Sequence, residues 1–156
     1  KKTKIQDSDN ITDLKRSING LAVELIAENI RSVLKGTVKR IKQPIEATYG
    51  CQRIPDDGKI DWVNDSKYIF NLIRASEPSY PAFTFLNSKK LFILEAELIE
   101  DKIYYGAIGQ IAMTLKDGSV IVITGDGVLK IKKVQLENEQ PVNAKIYLNS
   151  SKLRLT

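Results

Sequence analysis

Asp56, Asp57, Asp61 and Asp65 stand close together in the chain, and carboxylates at that density can in principle hold a hard cation through oxygen ligands. Their spacing does not follow the EF-hand loop and no bidentate Glu follows at the required distance, so turn and helix-cap duties are preferred. Gly125-Asp126-Gly127 has the look of a phosphate-binding loop, but a third glycine is missing at the required spacing and strand-like residues flank it, which makes it a hairpin turn. Trp62 can stack on a base or bury its ring locally while its N–H finds one acceptor, and burial is the preferred reading. Arg74 can bind phosphate, or can stabilise a helix C-terminus beside a carboxylate such as Asp61, and the second is preferred. Tyr104 and Tyr105, beside Gly106, are equally suited to base stacking and to an interface or core.

What is missing narrows the chemistry further. The chain has no histidine, which removes imidazole acid/base catalysis, His-activated nucleophiles and most imidazole-based metal sites. The single cysteine, Cys51, rules out an internal disulfide and fits a reducing, cytoplasmic compartment. An excess of 24 Lys and Arg over 19 Asp and Glu gives a formal charge of +5, which suits an anionic partner. No apolar run approaches the roughly 18 residues that span a bilayer, so no membrane association is expected. Lys1 is not an initiator Met, and the expectation is a fragment of something longer.

These groups must be held by a small set of elements. At 156 residues the chain suits one ordinary domain, which buries about two thirds of its unfolded surface. Residues 1–5 read as an edge strand cut off from its sheet. Thr12 can cap a helix with Asp13 in its first turn, and Leu14, Ile18, Leu21, Ala22, Leu25, Ile26, Ile30, Val33 and Leu34 recur every three or four positions to about Lys35. Gly36 ends it, and Gly20 inside it suggests close contact with another element. So long an apolar face needs a partner surface, and the helix reads as the last element of an upstream domain.

Residues 37–52 read as a linker: Lys35, Lys39, Arg40 and Lys42 make its start basic, Pro44 and Gly50 break it, and Val38, Ile41 and Ile45 can tack it to a surface. Its basic character fits either a solvated connector or a strip facing phosphates. A turn at Pro55-Asp56-Asp57-Gly58 and a short helix beginning near Asp65 or Ser66 come next. Strand-like segments follow at 82–86, 91–99, 108–115, 120–124 and 128–134, with turns at Asn87-Ser88, Asp117-Gly118 and Gly125-Asp126-Gly127. The expected class is α+β: a long N-terminal helix, a linker, then a small antiparallel β-barrel resembling an OB fold. Lys89, Lys90, Lys130, Lys132 and Lys133 alternate with apolar neighbours, as a solvated strand face does. Pro141 is expected to begin a short helix through about Leu148, and 152–156 to form a tail.

Arg53-Ile54-Pro55-Asp56-Asp57-Gly58-Lys59-Ile60-Asp61-Trp62, Ile73-Arg74-Ala75, Tyr80-Pro81-Ala82-Phe83-Thr84, Lys90-Leu91, Thr124-Gly125-Asp126-Gly127 and Leu129 together resemble the C-terminal part of the methionyl-tRNA formyltransferase family, which includes sugar-amine N-formyltransferases. The resemblance runs nearly end to end. It departs at Pro81-Ala82, where the family usually has Pro-Gly-Ala. It implies a parent enzyme that moves a formyl group from 10-formyltetrahydrofolate to an amine, with a catalytic Asn, His and Asp that lie upstream of this chain. The division implied is 1–36, the end of an α/β catalytic domain; 37–52, a linker; and 53–156, the barrel. Implied too are a tRNA-holding role for Lys35, Lys39, Arg40 and Lys42, a structural junction at Asp61, Trp62 and Arg74, and no catalytic, cofactor or metal residue in the chain itself. A structural domain of a nucleotide-linked amino-sugar enzyme and a non-catalytic RNA-binding module are the alternatives. The Arg-x-Pro-Asp-Asp-Gly form leans toward the sugar branch and the charge toward tRNA.

Overall fold

Asn10 rather than Thr12 caps the first helix, α1 (Ile11–Leu34), in the computed structural model, which describes residues 1–42, 45–76, 78–99 and 104–156. The Asn10 side-chain oxygen accepts the N–H groups of Thr12 and Asp13 at 2.8 and 3.1 Å, and the Asp13 carboxylate accepts the Asn10 N–H in return. Gly36 ends the helix as expected, with φ +68° and its N–H on the Val33 carbonyl. No residue of α1 is buried, and the space around Gly20 is open. The contacts expected of its apolar face are therefore not made among the described residues. Residues 1–5 form no strand there either; Lys1 Nζ lies 2.7 Å from both Glu24 and Glu28.

Two compact units result, Lys1–Arg53 and Ile54–Thr156. Residues 37–42 and 45–52, within the expected linker, hold no helix or strand, and Ile41 and Ile45 are 87% and 94% exposed rather than tacked down. Pro44 lies outside the described residues.

The second unit is built on a six-stranded antiparallel sheet in the order β1-β2-β5-β4-β3, with β6 beside β5. Its strands are β1 (Phe83–Leu86), β2 (Lys89–Leu98), β3 (Ile111–Thr114), β4 (Val120–Ile123), β5 (Val128–Leu136) and β6 (Val142–Asn143). Asn87 and Ser88 join β1 to β2 with φ of 49° and 65°, the positive angles a two-residue hairpin requires. Irregular register in β2 between Ile93 and Ala96 helps curl the sheet into a half-barrel. Helix α2 (Ser66–Ala75) lays Ile69 and Ile73, one turn apart, onto it beside Leu91, Leu129, Ile131 and Val134.

Where a tail was expected at 152–156, the chain bridges the sheet's two edges instead. On the β3 side, Ile111 N–H donates to Leu153 O at 3.3 Å and Leu155 N–H to Gly109 O at 2.8 Å. On the β1 side, Phe85 N–H donates to Thr156 O at 2.9 Å and Thr156 N–H to Phe85 O at 3.1 Å. Gly109 is needed there twice over: its φ is +76°, and a Cβ would come 2.3 Å from the Leu155 carbonyl oxygen. Leu155 itself is core. Two further expectations change for related reasons. The helix expected from Pro141 is the short strand β6 followed by a single 3-10 turn, Ala144–Ile146, because β5 captures Val142 and Asn143. The strand expected over 108–115 shrinks to β3, since Gly109 and Gln110 are taken up by that bridge.

Every residue of β4 is buried. Val120 and Val122 face the main core, while Ile121 and Ile123 form a second cluster with Val128, covered by Ile99, Tyr104, Ala112 and Leu115. Tyr104 is thus a packing residue, and Tyr105 is 94% exposed.

Candidate functional site

The segment from Pro55 to Ser66 is held by carboxylates that each cap a backbone group. Asp57 accepts the Ile54 N–H at 2.8 Å across the 3-10 turn Pro55–Gly58, Asp61 accepts the Val63 N–H at 3.0 Å, and Asp65 caps α2 by accepting the Tyr68 N–H at 2.6 Å. Turn and cap duties therefore account for these three. No cluster of ligands able to hold a metal ion occurs among the described residues.

A fourth carboxylate arrives from far along the chain. Asp126, in the β4–β5 turn, accepts from the Ser66 N–H at 2.8 Å and the Ser66 hydroxyl at 2.9 Å. These bonds, the backbone one first, hold its carboxyl below the usual range. Ser66 Oγ and Thr124 Oγ1 lie 2.7 Å apart, and the Gly125 N–H donates to Asn64 O at 3.0 Å. A Cβ on Gly125 would fall 1.8 Å from the Val63 carbonyl oxygen, so only glycine allows this approach. Gly125-Asp126-Gly127 is the hairpin turn expected, and it is also a dock for α2. The sequence gives no local sign of the second role.

Trp62 is 3% exposed, and its Nε1–H donates to Thr84 Oγ1 at 2.9 Å. Thr84, itself buried, donates its hydroxyl hydrogen bond to the Thr156 carbonyl oxygen at 3.0 Å. The preferred reading of Trp62, a buried ring with one acceptor, matches this geometry. Arg74 sits in the last turn of α2, with Nε donating to Asn71 Oδ1 at 2.9 Å and its guanidinium 5.5 Å from the Phe70 ring centre. Asp61, expected beside it, turns its own loop instead.

The basic residues divide by partner. Lys130 lies 3.2 Å from Asp117 and 3.4 Å from Glu97, Lys132 2.7 Å from Glu97, and Lys133 3.0 Å from Glu95. The Ser119 hydroxyl and N–H, with Lys130 behind them, pull the Asp117 carboxyl down to about 2. Lysine hydrogen bonds, chiefly from Lys132, lower Glu97 as well. Lys59 and Lys90 instead lie on phenyl rings: Lys59 Nζ is 5.5 Å from the Phe85 centre, and Lys90 Nζ is 3.8 Å from that of Phe83 and 5.6 Å from that of Phe92. Among the described residues no carboxylate pairs with Lys59, Lys90 or Arg154, nor with Lys35, Lys39, Arg40 or Lys42, all four of which are exposed. Cations without carboxylate partners, as these are among the described residues, can bind anions.

A model of the formyl transferase C-terminal domain family matches residues 53–152. The chain belongs to that family. Relatives extend the likeness beyond the formyl transferase C-terminal domain. The methionyl-tRNA formyltransferase of Thermodesulfovibrio yellowstonii is 33% identical over 153 residues, 98% of this chain and 48% of the relative. That of Fusobacterium nucleatum is 32% identical over 155 residues, again 98% of this chain and 50% of the relative. The chain spans about half the length of the curated relatives it matches. Among solved structures, HypX from Aquifex aeolicus in complex with tetrahydrofolic acid shares the fold at a TM-score of 0.64 and 20% identity, over 80% of this chain and 22% of that one. Among the described residues no helix is long and apolar enough to cross a membrane.

Proposed function

We propose that the chain is the C-terminal part of an enzyme that transfers a formyl group from 10-formyltetrahydrofolate to the amine of methionyl-tRNA, and that this part helps hold the tRNA. The observation that carries the reading is the extent of the match. Identity of 33% runs over 98% of the chain, through α1 and the basic linker as well as the half-barrel, in a relative named for that reaction. On this reading residues 1–36 close a catalytic domain whose body supplies the surface that α1 lacks. Residues 37–52 link it to the barrel of 53–156, and Lys35, Lys39, Arg40 and Lys42 face tRNA phosphates. Asp61, Trp62 and Arg74 form the structural junction at the start of the barrel. A folate co-substrate of the parent is in keeping with the tetrahydrofolic acid complex of HypX, and on this reading it is held upstream of this chain. The chain alone has no histidine and turns nothing over, and its parent works in the cytoplasm.

An amino-sugar acceptor is the competing assignment, favoured only by the Arg53-Ile54-Pro55-Asp56-Asp57-Gly58 form. Formylation assays on the full-length parent, with initiator methionyl-tRNA and a nucleotide-linked amino sugar offered separately, distinguish the two. Product on the tRNA alone is expected, and product on the sugar alone overturns the reading.

A further inference from the structure

Between 59–63 and 154–156 the half-barrel carries an open cleft of about 600 Å³, within the size range of small-ligand sites. Its rim holds three kinds of group. Lys59 and Arg154 are cations without a carboxylate partner among the described residues. Val63 and Ile108 are apolar yet 64% and 40% exposed. Asp61 has one carboxylate oxygen engaged by the Val63 N–H, which leaves the other to accept a hydrogen bond. Two cations suit a phosphate, exposed aliphatic walls suit the face of a planar ring, and a carboxylate suits an amino group on that ring's edge. A paired duplex hides its ring faces, so a ligand that satisfies all three is an unpaired nucleotide. The cationic surface also continues past the cleft. Lys59 rests on Phe85, Phe85 stacks edge-on against Phe83 at 5.8 Å, and Lys90 sits over Phe83.

We propose that this cleft holds one unpaired nucleotide of an RNA strand, its base against Val63 and Ile108 with an amino edge on Asp61, its phosphate between Lys59 and Arg154, and the next phosphate on Lys90. The strand, rather than a free nucleotide, is the occupant because Lys90 extends the cationic track beyond a single phosphate. The choice of RNA rests on the proposed tRNA acceptor.

The test uses the full-length protein that carries this chain and fluorescein-labelled hexacytidylate, whose exocyclic amines match Asp61. Binding is expected, with affinity falling at least tenfold in the Lys59→Glu/Arg154→Glu double variant. The slope of log affinity against log salt should flatten by about 0.7, for the one single-strand phosphate that Lys59 and Arg154 share. Lys116→Glu, a single charge reversal of the same kind in the β3–β4 turn, should have at most a threefold effect. Asp61→Asn, which keeps an acceptor for the Val63 N–H, should erase any preference for hexacytidylate over hexauridylate. Unchanged affinity in the double variant, or equal loss in Lys116→Glu, overturns the site. Cytidine monophosphate binding as tightly as hexacytidylate overturns the strand and makes it a free-nucleotide site. Formylation of methionyl-tRNA by the same wild-type preparation is scored separately, so failure of the acceptor assignment is told apart from failure of the cleft.

Discussion

The Asp126 carboxylate accepts the backbone N–H of Ser66 at 2.8 Å, so a turn residue sixty positions downstream completes the cap of α2. Asp65 satisfies Tyr68 N–H, and Asp126 takes an earlier free donor that Asp65 does not reach. Asp126→Ala should lower stability by about 1 kcal/mol, the usual cost of a lost helix cap, as a shift in urea midpoint with unchanged slope. Gly125→Ala should cost about 2–3 kcal/mol, because its methyl group meets backbone that cannot rotate away. The double variant should lose less than the sum, since a turn already pushed off α2 has no cap left to lose.

Acid stability should depend on Asp117. Its carboxyl is held at about 2 against an ordinary 3.8, first by the Ser119 hydroxyl. A depressed carboxyl stabilises the fold above its unfolded value and loses that contribution as pH falls through the folded one. Unfolding midpoints measured from pH 5 to pH 2 should show wild type ahead of Asp117→Asn at the upper end. The gap should close between about pH 4 and pH 2. A gap that persists unchanged to pH 2 contradicts the mechanism.

Trp62 is the one tryptophan and is buried, so its fluorescence reports the fold directly. Thr84→Val removes the group that both accepts from Trp62 and donates to Thr156, and should cost about 1–3 kcal/mol for leaving buried partners unpaired. Trp62→Phe in that background should cost less than in wild type, because the indole N–H has by then lost its acceptor.

On the proposed tRNA role, replacing Lys39, Arg40 and Lys42 together with Gln should weaken tRNA binding at low salt. It should also reduce the salt slope of the full-length protein by about 2–3, at roughly 0.9 per duplex phosphate. Replacing Lys130, Lys132 and Lys133 should change that slope far less, since their charges are already met by Glu95, Glu97 and Asp117. Equal effects from the two sets refute the division between paired and unpaired cations.

Local signals carried much of the architecture. Gly36 ends α1, Asn87-Ser88 turns β1 into β2, and Ile69 and Ile73 face the core, because each rests on neighbours a few residues away. The shift of the cap from Thr12 to Asn10 is of two residues only. What escaped was set by distant contacts. Alternation marks Lys90 and Lys130 alike as strand-face lysines, and only the folded sheet puts one on phenylalanine rings and the other between two carboxylates. Residues 152–156 carry no turn or periodic signal that would distinguish a bridge from a tail. Nor does Asp126 announce a helix partner sixty residues back.

Open sheet edges are templates on which other chains can add strands, and this half-barrel keeps its own occupied with very little material. One short stretch ending at Thr156 pairs with Gly109 and Ile111 on one side and Phe85 on the other. Deleting it would uncover both ends of the sheet at once and take Leu155 out of the main core cluster. The expected product is self-associating material rather than a merely weakened monomer, so solubility under stress is set by the five residues that looked least structural.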